Sequence, residues 1–169
     1  MWHVVRRYQI GNPQGTVVAG FQGYGDGLGQ LSNPHYVFVD RDHSVYVSED
    51  GNDRVTKWEK GAKEGVVVAG NQDRGSDLNQ LSSPRGVVVD QSGTIYVADS
   101  GNDRIVCWPK GATEGKIICG EKGTGSKSNQ LKEPIGLSFD QHGSLYISDS
   151  GTLFRNHQKN NRVQLFLIE

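Results

Sequence analysis

Residues 84–105 read P-R-G-V-V-V-D-Q-S-G-T-I-Y-V-A-D-S-G-N-D-R-I, and residues 34–55, fifty positions earlier, read P-H-Y-V-F-V-D-R-D-H-S-V-Y-V-S-E-D-G-N-D-R-V. A third copy, P-I-G-L-S-F-D-Q-H-G-S-L-Y-I-S-D-S-G, occupies 134–151 and resumes as N-N-R-V at 160–163. Leu31, Leu81 and Leu131 precede the three copies at one fixed offset, and Trp58 and Trp108 follow the first two at another. A period of this length makes the chain an array of one unit and moves the question of function from a single pocket to a repeated surface.

The middle unit shows how the pattern becomes structure. Gly86-Val87-Val88-Val89-Asp90 is apolar without alternation, as expected of a first strand covered on both faces. Gln91-Ser92-Gly93 turns the chain, with Asp90 placed to accept backbone N–H bonds and Gly93 free to take the closing dihedral. Residues 94–98 form the second strand, 104–108 the third, and 115–119 an outer fourth strand that admits Lys116. The link from Gly120 to the next Pro carries the chain to the following unit, with Leu31, Leu81 and Leu131 as apolar pins beneath the three links. No stretch repeats apolar residues at helical spacing, and 23 glycines among short β-branched and aromatic runs give a strand-and-turn composition.

Four-stranded antiparallel units at this period favour a β-propeller of radially arranged blades over solenoids of shorter period. Residues 1–169 then form a single segment with a partial blade at 3–20, full blades at 34–70 and 84–120, and a blade at 134–169 lacking its outer strand. About three blades cannot close a ring, so the chain is expected to be part of a longer product or a half-ring that pairs with a second copy. In either case its open blade faces favour self-association.

The quoted phrases resemble NHL repeats, through the D-x-x-G turn, the strand containing Tyr46, Tyr96 and Tyr146, and the N-x-R-[VI] phrase. The resemblance covers nearly the whole chain, and with the G-A-x-x-G turn and the N-Q-L link it extends to long repetitive NHL-containing proteins of small invertebrates. It implies an all-β propeller of NHL type, usually of six blades, of which about half would be present here. Departures mark unequal units: Asp42-His43 replaces the turn glycine, Tyr36 replaces the usual glycine, and 152–159 is an insertion.

The sequence argues against several function classes. A formal charge of -1, from 18 Lys and Arg against 19 Asp and Glu, gives no global field for a nucleic-acid backbone or a membrane surface. No run is long and apolar enough to span a bilayer, and the N-terminus lacks the apolar run of a secretory signal; the compartment is left open, extracellular if the chain belongs to a longer secreted protein. His3, His35, His43, His142 and His157 fall at different positions of the repeat, without metal-binding spacing, and no serine sits in a nucleophile elbow. No catalytic residue, cofactor or metal is assigned. The expected function is a non-catalytic scaffold or protein-interaction module acting through blade loops. The alternatives are part of a hydrolase or lyase completed by further blades, and a single-stranded RNA-binding propeller.

Arg54, Arg104 and Arg162 follow Asn52, Asn102 and Asn160 at a spacing of two. A guanidinium there can clamp neighbouring blades through carbonyls or a carboxylate of the next blade. Asp40, Asp90 and Asp140 form a repeated acidic position with a turn or interblade role, and Glu49, Asp99 and Asp149 form another. The insertion places Phe154, Arg155, His157 and Lys159 together in one loop, an aromatic beside bases that could contact a partner. Cys107 and Cys119 flank a turn at 111–115; a hairpin centred on Thr113 would set the sulfurs facing each other, either as a disulfide or as two small buried hydrophobes.

Overall fold

The computed structural model describes residues 3–70, 73–120, 124–151, 160 and 162–166. Its first sheet pairs β1 (Val5–Gln9) with β2 (Asn12–Ala19). The second holds β3 (Pro34–Val39), β4 (Val45–Glu49), β5 (Arg54–Trp58) and β6 (Val66–Ala69), and the third repeats it with β7 (Pro84–Val89), β8 (Ile95–Asp99), β9 (Arg104–Trp108) and β10 (Lys116–Cys119). The fourth has β11 (Pro134–Phe139), β12 (Leu145–Asp149) and β13 (Arg162–Phe166). Within each sheet neighbouring strands are consecutive and antiparallel. Among the described residues no helix is long and apolar enough to cross a membrane.

The all-β, antiparallel expectation matches this arrangement, but the propeller requires correction. Among the described residues no sheet closes or curls into a propeller, and the sheets remain separate. The six-bladed ring implied by the resemblance is not formed by the described residues.

The apolar pattern of each unit packs one sheet on the next, in chain order. Ala19 from the first sheet meets Val45, Val47 and Trp58 from the second, with Leu31 between them. Tyr46, Val55 and Ala69 on the other face of the second sheet meet Val87, Val97 and Trp108 of the third, around Leu81. Tyr96, Ile105 and Cys107 of the third then meet Leu137, Leu145 and Ile147 of the fourth, around Leu131. All three link leucines are fully buried, so the pins beneath the links fill the seams between sheets.

The first strand of each unit is not the most enclosed one. Strands β8 and β9 are buried along their whole length, whereas β3 alternates between half-buried and exposed and β7 carries half-buried residues. The reason is topological: β3, β7 and β11 are sheet edges, and only β7 lies between two others. There Gly86 is required, because a Cβ would stand 2.8 Å from the Ile135 carbonyl oxygen and 3.0 Å from the Leu137 nitrogen. At the turn after β3, His43 adopts φ 65 where Gly93 and Gly143 stand at φ 86 and 85. Histidine visits this left-handed region more readily than most side chains, which is why the missing glycine is tolerated.

The buried cysteines are not directly opposed. The register sets Lys116 opposite Cys107, so the hairpin is centred between Gly111 and Ala112 and not on Thr113, and Cys119 stands opposite Ile105 after a bulge. No disulfide joins the pair, and burial pushes the Cys107 thiol up, so its chemistry is that of a small hydrophobe.

Because Leu81 fills a seam while Leu78, three residues earlier in the same link, is 43% exposed, the two should respond differently to truncation. Leu81→Ala is expected to cost about 2–5 kcal/mol and Leu78→Ala less than about 1 kcal/mol in denaturant unfolding. Equal midpoints for the two variants would remove the seam from the account.

Candidate functional site

The side chains with the most chemical potential gather at one repeated place, where the turn after the second strand meets the link leading into the same sheet. In the third sheet the Asp99 carboxylate is fully buried and accepts hydrogen bonds from the Ser82 amide at 2.7 Å, Asn102 Nδ2 at 2.8 Å and Arg104 Nε at 2.6 Å. Arg104 then donates to the Ser76, Asp77 and Gln80 carbonyls, and Asn102 to the Gly75 carbonyl. The guanidinium thus uses its planar fork to join one carboxylate to three carbonyls of link backbone.

The second sheet repeats the cluster with a longer acid. Glu49 accepts from the Ser32 amide, Asn52 and Arg54, while Arg54 donates to the Asp26 and Gly27 carbonyls. Thr56 adds a bond to Glu49 at 2.9 Å and receives the Trp58 indole N–H at 3.0 Å. In the fourth sheet Asp149 accepts from the Lys132 amide, Asn160 and Arg162, and Arg162 reaches the Ser126, Lys127 and Gln130 carbonyls. The insertion at 152–159 leaves this geometry intact on both sides.

The expected arginine clamp therefore differs from the observed one. Each arginine binds a carboxylate of its own sheet and the link into that sheet, not a carboxylate of the next. Bonds between units come instead from a residue absent from the expectation. Asp53 Oδ1 accepts the Ser83 amide at 2.6 Å and Asp103 Oδ1 the Glu133 amide at 2.7 Å, while His3 Nδ1 takes the same place for the Asn33 amide at 3.0 Å. The N-D-R phrase at a spacing of fifty was the available signal, read for its asparagine and arginine and not for the aspartate between them.

Asp40, Asp90 and Asp140 are local turn formers and not bonds between blades. Asp90 Oδ1 accepts the Ser92 and Thr94 amides, each at 2.9 Å, and its Oδ2 the Tyr96 hydroxyl at 3.2 Å. Asp40 and Asp140 make the same pair of amide bonds. Burial alone would raise the Asp90 carboxyl, but the hydroxyl and amide donors around it hold it below the usual carboxylate range. At Asp99 burial wins over its donors and raises the carboxyl. Burial and then the Asp90 charge push Tyr96 up to about 12.

A cavity of about 160 Å³ opens beside Asp26, Gly51, Asn52, Asp53 and Arg54. It is smaller than the roughly 300 Å³ at which ligand pockets begin, and Asn52 and Arg54 are already committed to link carbonyls. Among the described residues no three His, Cys, Asp or Glu side chains gather as metal ligands would. Phe154, Arg155, His157 and Lys159 lie outside the described residues.

Removing Arg104 would leave Asp99 buried with its principal partner gone. Arg104→Ala is therefore expected to cost about 3–5 kcal/mol, against about 0.5 kcal/mol for Lys110→Ala in the exposed loop; chemical denaturation of both variants measures the difference. The Asp90 carboxylate contributes stability that is fully present above the ordinary aspartate pKa, near 4, and is lost as pH falls through its lowered folded value. Melting temperatures of Asp90→Asn and the parent should thus converge as pH is taken from 7 towards 2, the parent falling faster.

Residues 81–108 match the NHL repeat. No curated protein matches the chain. Solved structures similar to it include a structural genomics protein of unknown function from Bacteroides thetaiotaomicron, at TM-score 0.67 and 17% identity over 87% of this chain and 40% of that one. The nidogen/laminin complex structure aligns at TM-score 0.65 and 19% identity, over 96% of this chain and 52% of that one. A catalytically inactive virginiamycin B lyase from Staphylococcus aureus with quinupristin aligns at 0.53 and 8%, over 81% and 42%. The chain thus spans about half or less of the length of these structures, and the likeness is one of fold. An NHL repeat motif lies at the centre of the array.

Proposed function

We propose that the chain is a non-catalytic repeat module that recognises a protein partner through the loops at the ends of its sheets. The observation carrying this reading is the repeated cluster itself. The buried acids Glu49, Asp99 and Asp149 and the arginines bonded to them are engaged at equivalent positions in fixing link backbone. An active centre calls for a singular set of groups held for reacting atoms, whereas here the same set recurs with the period of the scaffold. The exposed loops stand outside this cluster, and loops are where a rigid scaffold usually places recognition. The likeness to a structure of a protein complex, nidogen with laminin, points the same way.

The exposed turns at 59–64 and 109–114, which carry Lys60, Lys63 and Lys110, are the loops offered. Lys63 lies over the Phe21 ring, 4.0 Å from its centroid, so this loop is held against the preceding link as well as exposed. Photo-crosslinkers placed at Lys60 and Lys110 should capture one protein partner saturably. Replacing Lys60, Lys63 and Lys110 together by Ala should weaken that complex about tenfold or more, while stability falls by no more than the lost contact of Lys63 with Phe21, about 0.5–1 kcal/mol. Turnover of an ester or lactone by the isolated chain, or salt-dependent capture of RNA in place of protein, would defeat the proposal.

A further inference from the structure

The straps between successive sheets are built alike in all but one side chain. Asp53 and Asp103, ahead of β5 and β9, take the Ser83 and Glu133 amides of the next sheet, and His3, ahead of β1, takes the Asn33 amide. Each accepted amide belongs to the residue before the proline that opens the next first strand. The glycine that closes each fourth strand lies against the backbone of the strap residue: a Cβ on Gly20, Gly70 or Gly120 would strike the carbonyl oxygen of His3, Asp53 or Asp103. The strap backbone is thus formed in the same way three times, and the acceptor differs: a carboxylate oxygen twice and a ring nitrogen once.

In two of the three links a side chain is matched to that acceptor. Thr124 donates its hydroxyl to the second oxygen of Asp103, whereas the equivalent Tyr24 lays its ring against His3, with centroids 4.8 Å apart. Arg74, at the same place in the second link, turns to Ser82. Tyr24 also bridges to Leu31, whose side chain fills the first seam. Among the described residues no carboxylate stands within ion-pair range of the His3 ring. The titratable groups on the elements around it are Tyr24 and Asp26 of the link, Arg6 and Arg7 of β1, Glu49, committed to the Ser32 amide and Arg54, and Asp50, whose own amide bonds the Asn33 carbonyl.

We propose that His3 makes the seam between the first and second sheets a pH-sensitive latch, closed at neutral pH and loosened in mild acid, while the two later seams hold. A neutral imidazole offers one ring nitrogen as acceptor, and an imidazolium offers none. Imidazole ordinarily gains its second proton near pH 6.5, whereas a carboxylate keeps accepting down to about pH 4. Between those values the first strap alone loses its acceptor, so its contribution is present above the histidine range and lost as pH falls through it. The Tyr24 ring still attracts the cation, which keeps the imidazolium seated and sets its new N–H against the Asn33 N–H, donor facing donor. Relief comes from withdrawal of the Asn33 backbone at the mouth of the seam. One such bond shifts the balance of closed and open forms by a factor of about three to ten. This is a loosening and not an unfolding, since Ala19, Leu31, Val45, Val47 and Trp58 stay packed behind it. The latch is independent of the reading of the loops as a protein-binding surface.

The test follows exchange of the Asn33, Ser83 and Glu133 amides with water in the whole chain by NMR, each rate divided by its intrinsic value at the same pH. From about pH 7.5 to about pH 5.5 the protection of Asn33 should fall about three- to tenfold, while that of Ser83 and Glu133 stays level. His3→Asp gives the first strap the acceptor of the other two and should keep Asn33 protected at both pH values. His3→Ala removes the acceptor and should leave Asn33 poorly protected at both. A level Asn33 in the parent chain, a parallel fall at all three amides, or the same fall in His3→Asp would overturn the proposal. None of these readouts involves a partner, so failure of the latch and failure of the loop reading are told apart.

Discussion

The arrangement depends on a buried carboxylate that must not be left alone. Glu49, Asp99 and Asp149 are withdrawn from water completely, and a charge so placed is tolerated only where several donors converge on it. Here a link amide, an asparagine amide and a guanidinium do so, and the arginine passes the constraint on by fixing the link carbonyls. The link has little regular structure of its own, and its path is set by the acid that it helps to satisfy. Without that path the leucines at 31, 81 and 131 would not reach the seams that they fill.

Apolar packing supplies the complementary part. Each sheet has two faces to cover, and chain order decides which neighbour covers them, so every sheet serves as the floor of one seam and the roof of the next. The exposed apolar side chains of β13 are not an error of pattern, because they continue the spacing that is buried in the preceding sheets.

Much of this was legible in the residues. The third strand of the middle unit was read with its observed bounds, the others fell within two residues of theirs, and the link leucines could be named as buried from their fixed offset alone. The Asp-turn role was also readable at Asp90, where Gly93 and Ser92 stand beside it. Other features were not legible, for definite reasons. A repeat period counts units but carries no information on whether their sheets close, which depends on the angle between successive sheets. The direction in which Arg104 reaches was hidden because both the link behind it and the sheet ahead offer carbonyls. The cysteine register was missed because the hairpin is centred between Gly111 and Ala112, where Lys116 meets Cys107, and not on Thr113. His3 stands where Asp53 and Asp103 stand, yet only the position of its ring nitrogen reveals that a histidine can take over an aspartate's bond.

The self-contained character of each cluster has a consequence for descent. Arg54 and the carbonyls of Asp26 and Gly27, like Arg104 and those of Ser76, Asp77 and Gln80, lie within one stretch of link plus sheet. A gene that copied or lost one such stretch would copy or lose the acid, its asparagine, its arginine and their acceptors together, and no buried charge would be orphaned at the new junction. The straps of His3, Asp53 and Asp103 would have to find a new amide, and every unit offers one at the same place. Tandem duplication is thus chemically neutral at the site where a misplaced charge would do most harm, which lets such arrays grow and shrink in length without first acquiring compensating mutations.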